Sequence, residues 1–402
     1  MKRRQLLQLG AGLVLGGIAG VRALARPADR IIVVGGGIVG ASICYQLVRR
    51  GAHVTLLEKS QPAAGATGKS FAWINANISK LPHHYHTLNR LGVHAFHDLQ
   101  QEIGAELPVR WGGTFEWYSN GERAAELRRL AHQQQEWGYP IRMVDEAEFA
   151  RREPRVTPGK SLVTTFSEHE GSVDSAEATR VLLRHAQAAG ASVLYPCEVE
   201  GIVLKGRGVT LRTTQGEFHG ERVVLACGVN TPQLAALARV PVPLKPAPGI
   251  VVRSTPQPQW VQGVLVTEDS HFHQQADGRV LMGDDFGPPP TEPHQQLAQQ
   301  PRDFPDPSFA ELHGHRIRSQ AARYLPALAD VPIESVSLCW RPLPTDDFPI
   351  VGFAPQAPQL YVAVMHSGVT LGPLVGELAA IELLEGVEVD LLASYRPARF
   401  AG

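Results

Sequence analysis

The 402-residue sequence is poor in cysteine, and none of its cysteines forms a CxxC pair. The four cysteines, Cys44, Cys197, Cys227 and Cys339, are widely separated, which predicts neither a structural zinc site nor a redox-active dithiol. No grouping of His, Cys, Asp and Glu has the spacing of a metal site, so we expect no bound metal.

The sequence also lacks an excess of either charge. Lys and Arg total 38 and Asp and Glu total 39, for a formal net charge of −1. This balance gives no electrostatic reason to expect nucleic acid or an anionic membrane as a partner. Hydrophobic residues make up 44% and charged residues 19%, which is a globular composition, and the length predicts two domains.

The longest uncharged run near the N-terminus is too short for a typical membrane span. It extends over 17 residues, Gln5 to Val21, whereas a spanning helix needs ~20. Lys2-Arg3-Arg4 precedes it and Ala23-Leu24-Ala25 offers a small-x-small cleavage site. The segment resembles a twin-arginine export signal, so we predict that residues 1–25 are removed and that the mature protein is periplasmic. An uncleaved anchor that keeps the protein at the membrane and a mis-assigned start codon are the alternatives.

A strand, a helix and a second strand are predicted in the first part of the mature chain. Arg30 to Val34 is apolar and β-branched, Ile38 to Arg50 has helical periodicity, and Ala52 to Leu57 is a further apolar run. Gly51 ends the helix. The sequence therefore predicts a βαβ unit.

Three glycines lie between the first strand and its helix. In Gly35-x-Gly37-x-x-Gly40, the first permits a tight turn, the second lets a pyrophosphate approach the backbone, and the third lets helix and strand pack closely. The helix N-terminus would bind the phosphates, and Glu58 would accept hydrogen bonds from the ribose. The pattern predicts dinucleotide binding, and an acid at position 58 disfavours NADP.

The remaining chain is predicted to alternate between helices and strands. Helices are expected over 85–103, 121–137, 313–324 and 371–384, with another that Asp174 caps and that runs to about Ala189. Residues 109–118 read as a strand that Gly112-Gly113 interrupts, and 241–284 as a β-rich segment with a turn at 276–278. Residues 287–307, rich in Pro and Gln, are predicted to form an exposed loop.

Five short motifs distinguish FAD from NAD through a resemblance. GATGKSFAWINAN (65–77), GSVD (171–174), RVVLACG (222–228), WRPLPTDDFPIVG (340–352) and HSGVTLGP (366–373) resemble, in this order, motifs of the D-amino-acid oxidase family. That family includes glycine oxidase, sarcosine oxidase and the bacterial D-amino-acid dehydrogenases. The chain has no second GxGxxG after a strand, which a pyridine-nucleotide disulfide reductase would need.

The resemblance implies a two-domain α/β fold. A Rossmann-like FAD-binding domain would comprise residues 27–90, 155–235 and 335–402, and it would be interleaved with an α+β substrate domain. The substrate domain would comprise 91–154 and 236–334 and be built on a mainly antiparallel sheet.

The family motifs also assign residues to the cofactor. Thr67, Gly68 and Ser70 would contact the pyrophosphate or flavin, Val199 the adenine, and the segment from Ser367 the flavin pyrimidine edge. The full predicted set is Gly35, Gly37, Ile38, Val39, Gly40, Glu58, Lys59, Thr67, Gly68, Ser70, Val199, Ala226, Gly228, Ser367, Gly368, Val369 and Thr370.

Arg341, His366 and Asn75 are the predicted catalytic residues. In the family an Arg at the position of Arg341 holds the substrate carboxylate, for which a planar guanidinium is suited. The alternative is a surface salt bridge with Asp346 or Asp347. His366 adjoins the flavin motif, and Asn75 is a hydrogen-bonding candidate in the loop at the flavin.

Several further side chains have two interpretations. Cys339 aligns with the cysteine that tethers FAD in sarcosine oxidase, although a buried inert thiol is the favoured interpretation. His83, His84 and His86 could line the active site or form a solvated helix start. His271 and His273 should share one face of a strand, because their spacing is two.

The sequence thus predicts an FAD-dependent oxidoreductase that oxidises the C–N bond of a small amine or amino acid by hydride transfer to flavin N5. Oxygen or a quinone would accept the electrons. A quinone-linked dehydrogenase, an oxidase of a non-amine such as a 2-hydroxy acid, and a non-catalytic flavin-binding protein are the alternatives.

Overall fold

A computed structural model describes residues 30–77, 80–206, 208–284, 304 and 307–400. The predicted export signal (1–25) lies outside these residues, as does most of the predicted loop 287–307. Within the described ranges, no helix combines the length and the apolar composition that crossing a membrane requires.

A six-stranded sheet contains the predicted βαβ unit. In spatial order its strands are β21 (Ile350–Ala354), β22 (Ala357–Val364), β13 (Arg222–Leu225), β1 (Arg30–Val34), β2 (His53–Leu57) and β9 (Ser192–Leu194). Neighbouring strands are parallel except for β21 and β22. Strand β1 is buried from its second residue onward, as expected of a parallel strand covered on both faces.

Helices pack on this sheet and on one another. Helix α1 (Ile38–Arg49) packs against α5 (Ser175–Ala188) and α8 (Gly368–Glu385). Asp174 caps α5 as predicted, because its side chain accepts a 2.9 Å hydrogen bond from the backbone N–H of Glu177. Helix α8 begins three residues earlier than predicted, so its first turn consists of residues from the flavin motif.

An eight-stranded sheet is the second large sheet of the protein. Its order is β19 (Ile333–Trp340), β15 (Pro248–Ser254), β18 (Val280–Gly283), β17 (His271–Gln274), β16 (Val264–Val266), β5 (Thr114–Tyr118), β7 (Val163–Ser167) and β6 (Ile141–Met143). All neighbours are antiparallel except β16 and β5. The predicted fold class, a Rossmann-like unit with a mainly antiparallel sheet, is confirmed.

Two strands of the eight-stranded sheet come from segments predicted to belong to the FAD-binding domain. Strand β7 lies in the predicted FAD-binding segment 155–235, and β19 lies almost wholly in the segment 335–402, yet both pair within the eight-stranded sheet. Local sequence does not reveal these partners, because the residues of β19 pair with residues 79 to 92 positions earlier in the chain. The division into two domains stays a prediction, with these two strands assigned to the antiparallel sheet.

The other elements are shorter sheets and peripheral helices. The remaining strands are β3 (Trp73–Ile74), β4 (Val109–Arg110), β8 (Gly171–Val173), β10 (Val199–Lys205), β11 (Gly208–Thr213), β12 (Gly216–Gly220), β14 (Leu244–Lys245) and β20 (Leu343–Pro344). The remaining helices are α2 (His83–Ile103), α3 (Gly121–Glu136), α4 (Glu146–Arg152), α6 (Thr231–Ala236) and α7 (Pro307–Ala322).

Two sequence-based boundaries need correction or refinement. Helix α7 begins at Pro307 and not at 313, because proline is well suited to the first helical position, where its missing N–H is not needed. The interrupted strand 109–118 is two strands in different sheets, β4 and β5, separated at Gly113 with φ +74°. The predicted interruption at Gly112-Gly113 is confirmed.

Candidate active site

One cavity of about 610 Å³ connects the two large sheets. The C-terminal ends of β1 and β2, the start of α8, and residues from β15 and β19 line its wall. A crevice at the C-terminal ends of parallel strands is where open α/β sheets bind ligands. The cavity therefore lies where the glycine turn predicts a nucleotide.

Nearly all of the predicted site residues line this cavity. Arg341, His366 and Asn75 do so, as do the predicted cofactor residues other than Gly40 and Gly68. The structure thus brings together segments separated by more than 300 positions in the chain. The roles given to the individual residues stay predictions.

Two glycines of the turn, Gly35 and Gly40, lie where a side chain would collide with the backbone. Gly35 has φ +111°, and a Cβ there would lie 2.3 Å from the Ala226 carbonyl oxygen. A Cβ on Gly40 would lie 2.0 Å from the Gly35 carbonyl oxygen, so Gly40 serves close packing away from the cavity wall. A Cβ on Gly68 would lie 2.5 Å from the Ala63 carbonyl oxygen. Gly68 therefore permits the fold of its loop and does not line the cavity.

The N-terminus of α1 suits a phosphate. Gly37 precedes the helix without a side-chain cap, and its first turn contains no acidic residue. Unpaired amides and the positive end of the helix dipole favour an anion. The N–H of Ile38 donates a 3.1 Å hydrogen bond to the Thr67 hydroxyl, which ties the predicted loop to the helix start.

Glu58 lies at the end of β2 beside the same turn. One carboxylate oxygen accepts a 2.7 Å hydrogen bond from the Gly36 N–H and the other accepts a 2.9 Å hydrogen bond from the Ser60 N–H. The oxygen that faces Ser60 also accepts a 3.3 Å hydrogen bond from the Ser60 hydroxyl, whereas the oxygen that faces Gly36 keeps a second lone pair with which to accept a ribose hydroxyl. Val199 lines the cavity nearby, so the residues at this end fit an adenosine diphosphate group.

The start of α8 forms the other end of the cavity. Ser367 precedes this helix without a side-chain cap, and its first turn also has no acid. The Thr370 hydroxyl accepts a 3.2 Å hydrogen bond from the Asn75 N–H and donates a 3.2 Å hydrogen bond to the Trp73 carbonyl. The Asn75 Oδ1 atom is buried without a partner among the described residues, so it can accept a hydrogen bond from a bound group.

Arg341 reaches the cavity from the end of β19. Its guanidinium donates 3.2 Å hydrogen bonds to the carbonyls of Ala247 and Pro248. The alternative salt bridges are wrong, because Asp346 pairs with Arg399 and Asp347 pairs with Lys245. In the described part of the chain, no carboxylate lies within ion-pair distance of Arg341.

The cavity histidines are held neutral. His366 is accessible to the cavity but enclosed by protein, and burial together with the cations Lys80 and Arg341 lowers its pKa to about 3. Burial lowers the pKa of His271 to about 4. His271 and His273 share one strand face as predicted, since both rings pack on Phe71, but only His271 lines the cavity.

The histidines at the start of α2 are structural. The ring of His83 packs against Trp137, His84 lies 2.8 Å from the Tyr395 hydroxyl, and His86 is buried with Nδ1 2.8 Å from the Ala76 carbonyl oxygen. None of the three lines the cavity. His83 and His84 are exposed, as in a solvated helix start, and a place in the active site gains no support from the cavity lining.

Cys339 lines the cavity with a protonated thiol. Its sulfur lies 3.7 Å from the Ala66 carbonyl oxygen, and burial raises its pKa to about 11. A thiol is a weak nucleophile until it is deprotonated. This favours the inert interpretation.

Two cavity residues have no signal in the sequence. Lys80 is buried in the cavity wall, and the Trp340 indole N–H is buried without a partner among the described residues. A lone lysine after a loop belongs to no motif. Trp340 lies inside a predicted motif, but the motif does not show that its N–H lacks a protein partner.

The parallel sheet, the glycine turn and the two uncapped helix starts define a dinucleotide-binding protein. The family model for DAO, described as FAD dependent oxidoreductase, matches residues 30–381. The chain therefore belongs to this family of FAD-dependent oxidoreductases, which confirms the predicted family and cofactor.

The individual relatives are distant. The chain is 27% identical over 390 residues to 4-methylaminobutanoate oxidase (formaldehyde-forming) of Paenarthrobacter nicotinovorans, covering 93% of this chain and 46% of that protein. It is 25% identical over 387 residues to glycine oxidase of Geobacillus kaustophilus, covering 92% and 97%. The crystal structure of that glycine oxidase gives a TM-score of 0.81 at 23% identity, covering 92% of this chain and 99% of the other, and this likeness shows the fold.

Proposed function

We propose that this protein uses FAD to oxidise the C–N bond of a small amine or amino acid. One observation carries the proposal: the guanidinium of Arg341, which has no carboxylate partner among the described residues, and the start of α8 line the same cavity. The relatives' printed names, a glycine oxidase and a 4-methylaminobutanoate oxidase, support an amine that also carries a carboxylate.

The side chains would perform binding and orientation. Arg341 would hold the substrate carboxylate with two parallel hydrogen bonds and so direct the α-carbon towards the cofactor. Bound FAD supplies an acceptor for the two electrons and the proton of the substrate C–H bond, at its N5 atom. The amides that begin α8 would face the pyrimidine edge, where negative charge increases on reduction.

No protein base is required if the amine binds unprotonated. His366, with its pKa of about 3, is neutral at ordinary pH and can accept a hydrogen bond without adding charge. Asp284, which also lines the cavity, is paired with Arg316 at 2.9 Å. Electrons leave with the α-hydrogen, and water then hydrolyses the imine to a keto acid or an aldehyde.

The deciding experiment is anaerobic mixing of the purified protein with a panel of amino acids and amines. We expect at least one of them to bleach the ~450 nm band of the bound oxidised cofactor. A 2-hydroxy acid panel run in parallel tests the non-amine alternative. If no compound of either class bleaches the band, the protein binds FAD without this catalysis.

Replacement of Arg341 by Ala tests the carboxylate contact. We expect KM for carboxylate substrates to rise by roughly 100-fold, with little change for a simple amine that lacks the carboxylate. Arg341→Lys should recover only part of the loss, because an ammonium cannot form the bidentate contact. Equal effects on both substrate types contradict the role.

Two parts of the proposal concern the cell. We propose a periplasmic location reached through residues 1–25, with oxygen or a quinone as the electron acceptor. Substituting both Arg3 and Arg4 with Lys should retain the protein in the cytoplasmic fraction, as a blot of fractionated cells would show. Fast reoxidation of the reduced protein by air indicates an oxidase, and slow reoxidation with rapid transfer to a soluble quinone indicates a dehydrogenase.

A further inference from the structure

Lys80 is a buried cation that the amine chemistry above does not use. Its side chain lines the cavity, and the residue is 8% exposed. No ion pair joins it to any carboxylate in the described ranges. Burial of a charge without a counter-charge is costly, so a cation kept in this position suggests that a bound group supplies the negative charge.

The ammonium is fixed at one point by Ser367. Lys80 Nζ donates a 2.9 Å hydrogen bond to the Ser367 hydroxyl oxygen. The Tyr85 hydroxyl lies 2.8 Å from the same oxygen, and this is its one hydrogen-bond partner among the described residues. A buried hydroxyl proton needs an acceptor, so Tyr85 donates to Ser367.

Counting protons then gives the direction of the Ser367 hydroxyl. A serine oxygen has two lone pairs and one proton. If it accepts from both Lys80 and Tyr85, its own proton has no protein acceptor at this point and is available to an acceptor in the cavity. The group that Ser367 faces is therefore expected to be a hydrogen-bond acceptor.

The N-terminus of α8 adds positive electrostatic potential beside Ser367. Ser367 precedes α8, whose first turn has no acidic residue and no side-chain cap. The segment that carries Lys80 is attached to this helix start, because Asn75 and Trp73 both bond to the Thr370 hydroxyl. A lysine ammonium, a hydroxyl proton and the positive end of a helix dipole thus converge on one part of the cavity.

We propose that Lys80, positioned by Ser367 and Tyr85, is the fixed positive charge that stabilises the reduced, anionic form of the cofactor and raises its reduction potential. This rests on the proposed function, which places the pyrimidine edge of FAD at the start of α8. In the reaction the substrate carbon loses two electrons and one proton, and the amine becomes an iminium. The cofactor gains one net negative charge. Lys80 keeps all of its protons throughout.

The competing role for Lys80 is to bind a substrate carboxylate. Charge on the cofactor and charge on the substrate are separable, because sulfite adds to oxidised flavin and leaves it negatively charged without any substrate present. The midpoint potential, measured with no substrate or sulfite in the cavity, therefore reports the charge at the cofactor alone. Sulfite affinity supports it but also depends on the attraction of the cavity for the sulfite anion itself. KM for carboxylate substrates reports the competing role.

The experiment compares Lys80→Met, Lys80→Arg and Ser367→Ala in the FAD-loaded protein. Lys80→Met should weaken sulfite binding by roughly tenfold, and a tenfold change corresponds to a midpoint potential about 30 mV lower for a two-electron couple. Lys80→Arg should retain most of the wild-type sulfite affinity, because it retains the charge. Ser367→Ala should give an intermediate loss. The exposed Lys160→Met, outside the cavity, is the matched control and should leave both readouts unchanged.

Unchanged potential and sulfite affinity in Lys80→Met, with a raised KM for carboxylate substrates, would overturn the proposal in favour of substrate binding. If Lys80→Met fails to hold FAD, the midpoint potential and sulfite affinity are measured on Lys80→Gln and Ser367→Ala instead. Wild-type values in both of these variants would also overturn the proposal. Neither readout uses an amine. If no amine bleaches the wild-type protein, the proposed function is contradicted, but the midpoint potentials and sulfite affinities of the Lys80 variants still decide whether Lys80 stabilises the reduced cofactor.

Discussion

The two ends of the cavity are built from different chemical groups. The adenosine end, formed by Gly35, Gly37, Ile38, Glu58 and Val199, presents mainly backbone amides together with the Glu58 carboxylate. The ring end, formed by Asn75, Lys80, Arg341, His366 and Ser367, presents side chains from separate elements. The first end fits a group common to many nucleotides, whereas the second determines which chemistry follows.

This difference in construction predicts a difference in tolerance. At the adenosine end the backbone leaves no room for a Cβ at Gly35, so substitution there should sharply weaken binding of the whole cofactor. At the ring end the side chains occupy cavity space, so substitution should alter potential, affinity for substrate or pH behaviour while FAD remains bound. Variants at the two ends should therefore fail in different ways.

The largest effect is expected for Gly35→Ala. The residue has φ +111°, and the new Cβ would lie 2.3 Å from the Ala226 carbonyl oxygen. The turn must move, so we expect FAD affinity to fall by at least ~100-fold or the protein to misfold. Absorbance of the purified protein and titration with FAD measure this.

Gly65→Ala is the matched control for that prediction. Gly65 lines the same cavity, but a Cβ there would meet nothing within 4 Å. It should retain FAD with at most a few-fold change in affinity. Full flavin content in Gly35→Ala would show that the backbone turn is not the rigid part of the site.

A smaller effect at the same end is expected for Glu58→Ala. The substitution removes the acceptor for the Gly36 and Ser60 amides as well as the predicted ribose contact. We expect FAD affinity to fall by roughly 10- to 100-fold with no change in the midpoint potential. Glu198→Gln, a neighbouring acid that also lines the cavity, is the control. A shifted potential in Glu58→Ala would contradict the separation of the two ends.

The glycine turn and Glu58 at the adenosine end could be predicted from the sequence for a physical reason. Gly35, Gly37 and Gly40 follow one strand within six positions, and backbone geometry requires glycine at the first and the third of them. The identity of Glu58 follows from the next strand. Local periodicity and turn chemistry are therefore sufficient to predict this part of the fold.

The ring end depends on contacts between distant parts of the chain. Lys80 meets Ser367 across 287 positions, and Arg341 reaches the cavity because β19 pairs with β15. The resemblance to a family located Arg341 and Ser367 through their motifs. It could not locate Lys80, and it could not show that Asp346 and Asp347 pair elsewhere and leave Arg341 free.

Acid should destabilise the folded protein at His86, which packs against the segment that carries Lys80. His86 is buried under the segment that carries Lys80, and burial lowers its pKa to about 4, whereas a histidine in the unfolded chain titrates near ~6.5. Between these values the unfolded chain binds more protons, so stability falls as the pH falls from ~6.5 towards 4. His86 should contribute roughly 1–2 kcal/mol to the loss between pH 7.5 and pH 5.

His86→Gln tests this contribution, because glutamine can still donate to the Ala76 carbonyl but does not titrate. We expect the thermal midpoint of the variant, measured with saturating FAD, to fall less between pH 7.5 and pH 5 than that of the wild type. His132→Gln on exposed α3 should leave the pH dependence unchanged. An identical pH dependence in His86→Gln and wild type would remove His86 as the source.

The smallest effect is expected for Cys339→Ala, although this thiol lines the cavity. Its raised pKa of about 11 leaves almost no thiolate at neutral pH, so we expect FAD to bind without a covalent bond. Acid precipitation of the wild type should release yellow FAD into the supernatant, and Cys339→Ala should bind FAD within a few-fold of wild type. Flavin that stays with the precipitated wild type but not with the precipitated variant would show a tether. In that case bound FAD itself must lower the thiol pKa, and the ring end would fix the cofactor as well as tune it.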